Sequence, residues 1–147
     1  MIVPDANLLL YAYDTSSPFH RASAKWWSNT LDGSEVVGLS TPVLFAFVRI
    51  STSPRAFTHP FTIEEATERV MDWLREPSIQ LLELQLIDVH QALSLLRQAG
   101  TGGNLTTDAQ VAALALRLGA VVHTADSDYA RFPNLNWLNP LAQSFSA

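Results

Sequence analysis

Short apolar runs alternate along this chain with longer segments of helical periodicity, which narrows the folds open to it. Residues 1–4, 35–39, 79–84, 120–124 and 136–138 read as strands. Helix signals fill the intervals. Ser17-Pro18 and Thr41-Pro42 each set a capping residue before a proline suited to the first helical position. Thr62 with Glu65, and Thr107 with Gln110, have the spacing of capping boxes. Asp88 and Gln91 are candidate caps for the helix carrying Ala92, Leu95, Leu96 and Ala99. Gly33, Glu76-Pro77 and Gly119 end helical segments. Strands that alternate with helices imply a layered α/β fold with a mainly parallel sheet. Residues 1–141 read as one domain and 142–147 as a frayed polar tail. Residues 43–48 are apolar on every face, so that helix is expected to be central or covered by a partner chain.

Composition closes off several chemistries. The chain has no cysteine, which removes disulfides, thiolate metal sites and cysteine nucleophiles. A formal net charge of −5 argues against a protein that wraps duplex nucleic acid, though not against a nuclease with local basic patches. No apolar stretch approaches the roughly 20 residues that span a bilayer, and no cleavable leader pattern is present. The expectation is a cytoplasmic protein with no membrane partner.

Acidic residues stand where the apolar runs stop. Asp5 follows the first run, and Asp126 and Asp128 follow the run through Thr124. The carboxyl ends of parallel strands share one edge, where open α/β sheets place their sites. Asp5 is either a turn or N-cap residue for the stretch from Leu8 to Tyr13, or a ligand at that edge, with Asn7 in support. Asp108 opens a helix, where a carboxylate also suits the dipole. The apolar stripe of that helix is Val111, Ala112, Ala115 and Leu118, and steps of three and four back along it land on Asp108. Asp108 therefore continues the inward face, and an inward carboxylate needs a partner or a metal. One of Asp126 and Asp128 can cap the short turn from Tyr129 to Phe132. Asp126 is the better ligand. Asp128 is a ligand, an outer-sphere group or the cap, and Thr124 can hydrogen-bond a ligand carboxylate or a metal-bound water.

Two carboxylates about 4 Å apart repel by roughly 4 kcal/mol at an effective dielectric near 20. A divalent cation relieves that repulsion. Oxygen donors alone favour Mg²⁺, with Mn²⁺ as a substitute, over zinc. Such a site suits phosphoryl chemistry, with metal-activated water as the nucleophile. His20, His59, His90 and His123 are scattered and read as surface or loop histidines. Arg49, Arg55 and Arg131 are candidate phosphate contacts or simply solvated arginines. Trp26, Trp27, Trp73 and Trp137 read as core or interface residues.

The ordered set of segments resembles the PIN-domain ribonucleases of the VapC toxin family. Residues 4–12 are similar to the family's opening, 103–115 to its third-acid segment and 124–132 to its last acidic motif. Residues 49–57 look like its loop after the second helix. The resemblance implies a three-layer α/β/α fold with a central, mainly parallel five-stranded sheet. It implies a toxic Mg²⁺-dependent endoribonuclease of a type II toxin-antitoxin pair, a VapB-type antitoxin and a homodimer. By motif match Asp5, Asp108 and Asp126 carry over as acidic-site residues, and Asp128 more weakly. Many members have a Glu about three residues before an Arg, where this chain has Ala46 before Arg49. That departure implies a leaner site, with one well-held Mg²⁺ and any second ion supplied with the substrate.

Two other readings compete. A non-catalytic PIN-like binding module with a degraded metal site would also explain Ala46. Another Mg²⁺-dependent phosphohydrolase would also place aspartates at strand ends. A haloacid-dehalogenase-type enzyme, however, would want an aspartate where Asn7 stands, and a receiver-type domain a strand-end lysine.

Overall fold

The computed structural model describes residues 1–142, and the tail expected at 142–147 lies outside the described residues apart from Ala142. In chain order the elements are β1 (Ile2–Pro4), α1 (Ala6–Tyr13), α2 (His20–Asp32), β2 (Val37–Ser40), α3 (Thr41–Ser51) and α4 (Ile63–Arg75). They continue with β3 (Ile79–Leu82), α5 (Leu86–Ala99), α6 (Leu105–Leu118), β4 (Val121–His123), a 3₁₀ turn (Ser127–Arg131) and β5 (Trp137–Leu138). The strands form one sheet in the order β3-β2-β1-β4-β5, and every neighbouring pair is parallel. The α/β class and the five parallel strands are as expected.

The strand order sets the position of the site. The chain steps outward from β1 to β2 and β3, then returns across β1 to place β4 on its other side. Loops after β1 and β4 therefore leave the same edge in opposite directions and open a crevice between them. Register pairs Pro4 with His123, so Asp5 and Thr124 start level at the two strand ends. The Asp5 N–H donates to the His123 carbonyl at 2.9 Å, extending the pairing by one residue.

The interiors of β1, β2 and β4 are buried on both faces, as the centre of a parallel sheet requires, while the edge strands β3 and β5 keep exposed residues. Val3, Val37, Leu39 and Val122 have no exposed surface. Helix α3 supplies Val43, Leu44, Ala46 and Phe47 to the core. It is central, and only Phe45 stands out, at 71% exposure. The partner-covered alternative for residues 43–48 thus reduces to one side chain. Trp27 and Trp73 are buried and meet edge to face at 5.7 Å, while Trp26 and Trp137 are half-buried.

Several helix starts differ from expectation. The Thr62–Glu65 capping box forms with both hydrogen bonds at 3.1 Å. Helix α2 begins at His20, because Ser17 is spent on a turn and its Oγ accepts the Phe19 N–H. Ser40, not Thr41, caps α3, leaving Pro42 in the first turn. Gln85 caps α5, with Asp88 as the reciprocal member of the box. Helix α6 starts at Leu105, so Thr107 lies inside its first turn and forms no box with Gln110. Asp88 is buried, and Arg117 holds it from α6 by two bonds of 2.7 and 3.0 Å. That pair ties α5 to α6, and α6 carries Asp108.

Candidate active site

Asp5 occupies the N-cap of α1. Its Oδ1 accepts the Ala6 N–H at 2.8 Å, and its Oδ2 accepts the Thr124 hydroxyl at 2.8 Å. The N-cap reading of this residue holds, and the same side chain lies buried at the sheet edge. Thr124 uses its whole capacity. It donates to Asp5 and accepts the Asp126 N–H at 2.9 Å and the Asn7 amide at 3.5 Å. One hydroxyl thus fixes three of the expected residues around the crevice.

Asp126 carries an assignment that sequence alone left open. It caps the 3₁₀ turn, its Oδ1 accepting the Asp128 N–H at 2.8 Å. Its second oxygen remains available. Asp128 is exposed at the surface of the turn. Asp108 reaches the same place from α6, half-buried, with no hydrogen-bond donor among the described residues.

The electrostatics show how close these groups are. Burial, then the Asp5 and Asp126 carboxylates, push the Asp108 carboxyl up to about 7, with Asp128 the weakest contributor. Burial chiefly raises Asp5 as well; the Thr124 and Ala6 hydrogen bonds pull against it, and Asp126 adds to it. Asp5, Asp108 and Asp126 thus form one interacting set, with Asp128 at its margin. No cation is among the groups acting on either acid. Among the described residues, no three carboxylates or imidazoles converge on a common ligating point as the side chains stand. What the crevice offers is mutually repelling oxygen donors and one orphaned acceptor, the buried Asn7 Oδ1. That chemistry fits a hard divalent cation and its water shell.

Tyr129 belongs to this set, though sequence reasoning passed over it. It is wholly buried, and its hydroxyl lies against the Asp5 and Asp108 carboxyls, lowering both, without completing a hydrogen bond to either. Burial and those two carboxylates keep the phenol far above its ordinary value and hence protonated. A signal did exist: in a 3₁₀ turn, residues three apart eclipse, so Tyr129 and Phe132 follow Asp126 on one side.

The remaining candidates lie outside the acid set. Ala46 is buried on α3 and borders a cleft with Arg49 and Thr107, so α3 brings no carboxylate there. Arg49 overlooks that cleft beside the first turn of α6. Arg55 is exposed in the loop after α3, and Arg131 is exposed and donates to the Ala99 carbonyl at 3.3 Å. None of the three forms an ion pair among the described residues. His123 is half-buried as a strand residue and accepts the Trp26 indole N–H at 3.1 Å.

Comparison with known proteins agrees with this fold. The PIN domain family model matches residues 2–135. The chain is 43% identical over 143 residues to ribonuclease VapC33 of Mycobacterium tuberculosis, covering 97% of this chain and 100% of that protein. Among solved structures it superimposes on VapC20 of M. tuberculosis, a sarcin-ricin loop cleaving toxin, with a TM-score of 0.71 at 16% identity, covering 92% and 99% of the two chains. It likewise matches a chain of VapBC2 from Rickettsia felis bound to promoter DNA, with a TM-score of 0.68 at 19% identity, covering 95% and 98%. At those identities the two structures speak for the fold alone. The family model and the full-length relative carry the rest: this chain belongs to the PIN-domain family, among the VapC ribonucleases.

Proposed function

We propose that the chain is the toxin of a type II toxin-antitoxin pair. In this reading it is a Mg²⁺-dependent endoribonuclease acting in the cytoplasm and neutralised by a VapB-type antitoxin. The observation that carries the reading is the meeting of Asp5, Asp108 and Asp126 at the β1–β4 crevice with no cation among the groups acting on them. A full-length relative named as a ribonuclease supports the substrate class, and a structural neighbour solved as a VapBC complex supports the antitoxin.

Asp5, Asp108 and Asp126 would hold the ion, with Mn²⁺ as a substitute. Once bound, it supplies positive charge at the scissile phosphate and a water of lowered pKa. The chain's own residues provide the setting. Thr124 and the Ala6 N–H fix Asp5, leaving its outward lone pairs free. The unpartnered Asn7 Oδ1 would accept from the water shell of the ion, and Asp128 is exposed at the margin of the set. Arg49 is a candidate phosphate contact, since its cleft adjoins α6; Arg55, in the loop after α3, and Arg131, at the end of the turn that Asp126 caps, are exposed candidates as well. The test is cleavage of RNA by purified protein. Activity should appear with Mg²⁺ or Mn²⁺ and stop with EDTA. Cleavage that persists unchanged in EDTA would sink the metal reading, and Mg²⁺ binding without any cleavage would favour the non-catalytic module.

A homodimer is part of the same proposal. Leu86, Val89 and Leu93 form a stripe on α5 at 74, 41 and 55% exposure. Phe45 stands across a cleft whose wall, at Gln110, is shared with that stripe. Contiguous apolar surface of this kind marks an association face. Leu93→Glu should convert a sedimenting dimer into a monomer; an unchanged sedimentation coefficient would exclude this face. Among the described residues, no helix is long and apolar enough to cross a membrane.

A further inference from the structure

An orphan donor faces an orphan acceptor in the crevice. The Tyr129 hydroxyl is buried without a completed hydrogen bond and lies against the Asp108 carboxyl, which has no other donor among the described residues. Asp5, by contrast, already has a donor on each oxygen. A buried hydroxyl left unsatisfied destabilises the fold, and a phenylalanine would fill the same space without that cost. The ring itself is well held: it is wholly buried and meets Phe132 edge to face at 5.8 Å. With only two side-chain torsions to fix, the hydroxyl has a defined place at little entropic expense.

We propose that Tyr129 is a positioning residue whose buried hydroxyl, unpartnered in the metal-free protein, donates to the Asp108 carboxylate when a cation is bound and so fixes which oxygen faces it. This rests on the Mg²⁺ reading above. Asp108 comes from α6, while Asp5 and Asp126 come from the ends of the sheet. It therefore needs its own orienting bond to share an ion with them. Thr124 serves Asp5 in that way, and Tyr129 serves Asp108. The donor also draws charge from the carboxylate that repels its neighbours, so ordering and relief of repulsion act together. Outer-sphere hydrogen bonds to metal ligands are typically worth 10–100-fold in affinity or activity.

The decisive variant is Tyr129→Phe, which deletes one oxygen and keeps the packing. Mg²⁺ affinity, followed by calorimetry on the full chain, should weaken about tenfold. The metal-free variant should melt no lower than wild type, because an unsatisfied buried group has gone. For RNA cleavage at fixed, subsaturating Mg²⁺, kcat should fall by a similar factor with KM little changed. Phe132→Leu is the control: it should lower the melting temperature and leave Mg²⁺ affinity alone. Equal Mg²⁺ affinity in Tyr129→Phe and wild type would overturn the assignment, as would an equal loss in Phe132→Leu. If wild type binds Mg²⁺ and cuts RNA while Tyr129→Phe is unaltered, only the role of Tyr129 fails. If wild type binds no divalent ion, the metal reading fails and takes this assignment with it.

Discussion

Asp5→Asn and Asp108→Asn should each reduce RNA cleavage by on the order of 10³-fold or more while leaving the protein folded. Neither change alters side-chain shape. Asparagine caps helices about as well as aspartate, so the bond from the Ala6 N–H to position 5 survives in kind. What disappears is a negative charge from a set in which Asp126 raises Asp5, and Asp5 and Asp126 raise Asp108. The loss should appear in kcat, since neither side chain sits where a phosphate would be welcome. Asp126→Asn should behave similarly, and Asp128→Asn should cost no more than about tenfold, because Asp128 is exposed and acts most weakly on Asp108. Gel assays on a defined RNA, with circular dichroism to verify folding, would check the series. Full activity in Asp108→Asn would exclude the crevice as the active site.

The gathering of those acids at one sheet edge was largely legible in the sequence, for identifiable reasons. Strand ends and helix phase are local patterns. Asp5 ends an apolar run, and Asp108 extends the stripe of Val111 and Ala115 to the crevice end of α6. The central strands were legible on the same grounds, because strands buried on both faces read as apolar runs, whereas β3 at the sheet edge carries an exposed Gln80 within its apolar residues. What stayed hidden depends on contacts between distant segments. Thr124 reaches Asp5 across 119 residues, and no local pattern records that bond. Tyr129 looked like an ordinary apolar residue of a turn, since only the packed structure shows where its hydroxyl goes. Capping was misassigned wherever two candidates stood side by side, as at Ser40 and Thr41, because a shift of one residue changes the cap and preserves the pattern. The exposed stripe of α5 escaped for the opposite reason: Leu86, Val89 and Leu93 have the spacing of a core face, yet they point outward.

The second large effect is on stability. The carboxyl of Asp108 lies near 4 in an unfolded chain and is pushed to about 7 in the fold by burial and by the Asp5 and Asp126 carboxylates. The folded state therefore holds this proton more tightly than the unfolded state does. Stability from that difference is complete below about pH 4 and drains away as pH rises towards 7. A shift of that size corresponds to roughly 4 kcal/mol; solvent reaches the half-buried group, which leaves about 3 kcal/mol. Asp5 is raised as well and acts in the same direction. Metal-free protein should thus lose stability between about pH 4 and 7 relative to Asp108→Asn, and the two urea midpoints should diverge as the pH rises. At pH 8 the Asn variant should be the more stable protein, because it removes a charge the fold bears only at a cost. Excess Mg²⁺ should restore wild type by about 2.7 kcal/mol at a hundred times its dissociation constant, and should do little for Asp108→Asn. Parallel stability curves for the two proteins across that range would show that Asp108 carries no such strain. The expected divergence ties the two effects together: the repulsion that weakens the metal-free fold is the same repulsion that gives a divalent cation its place in the crevice.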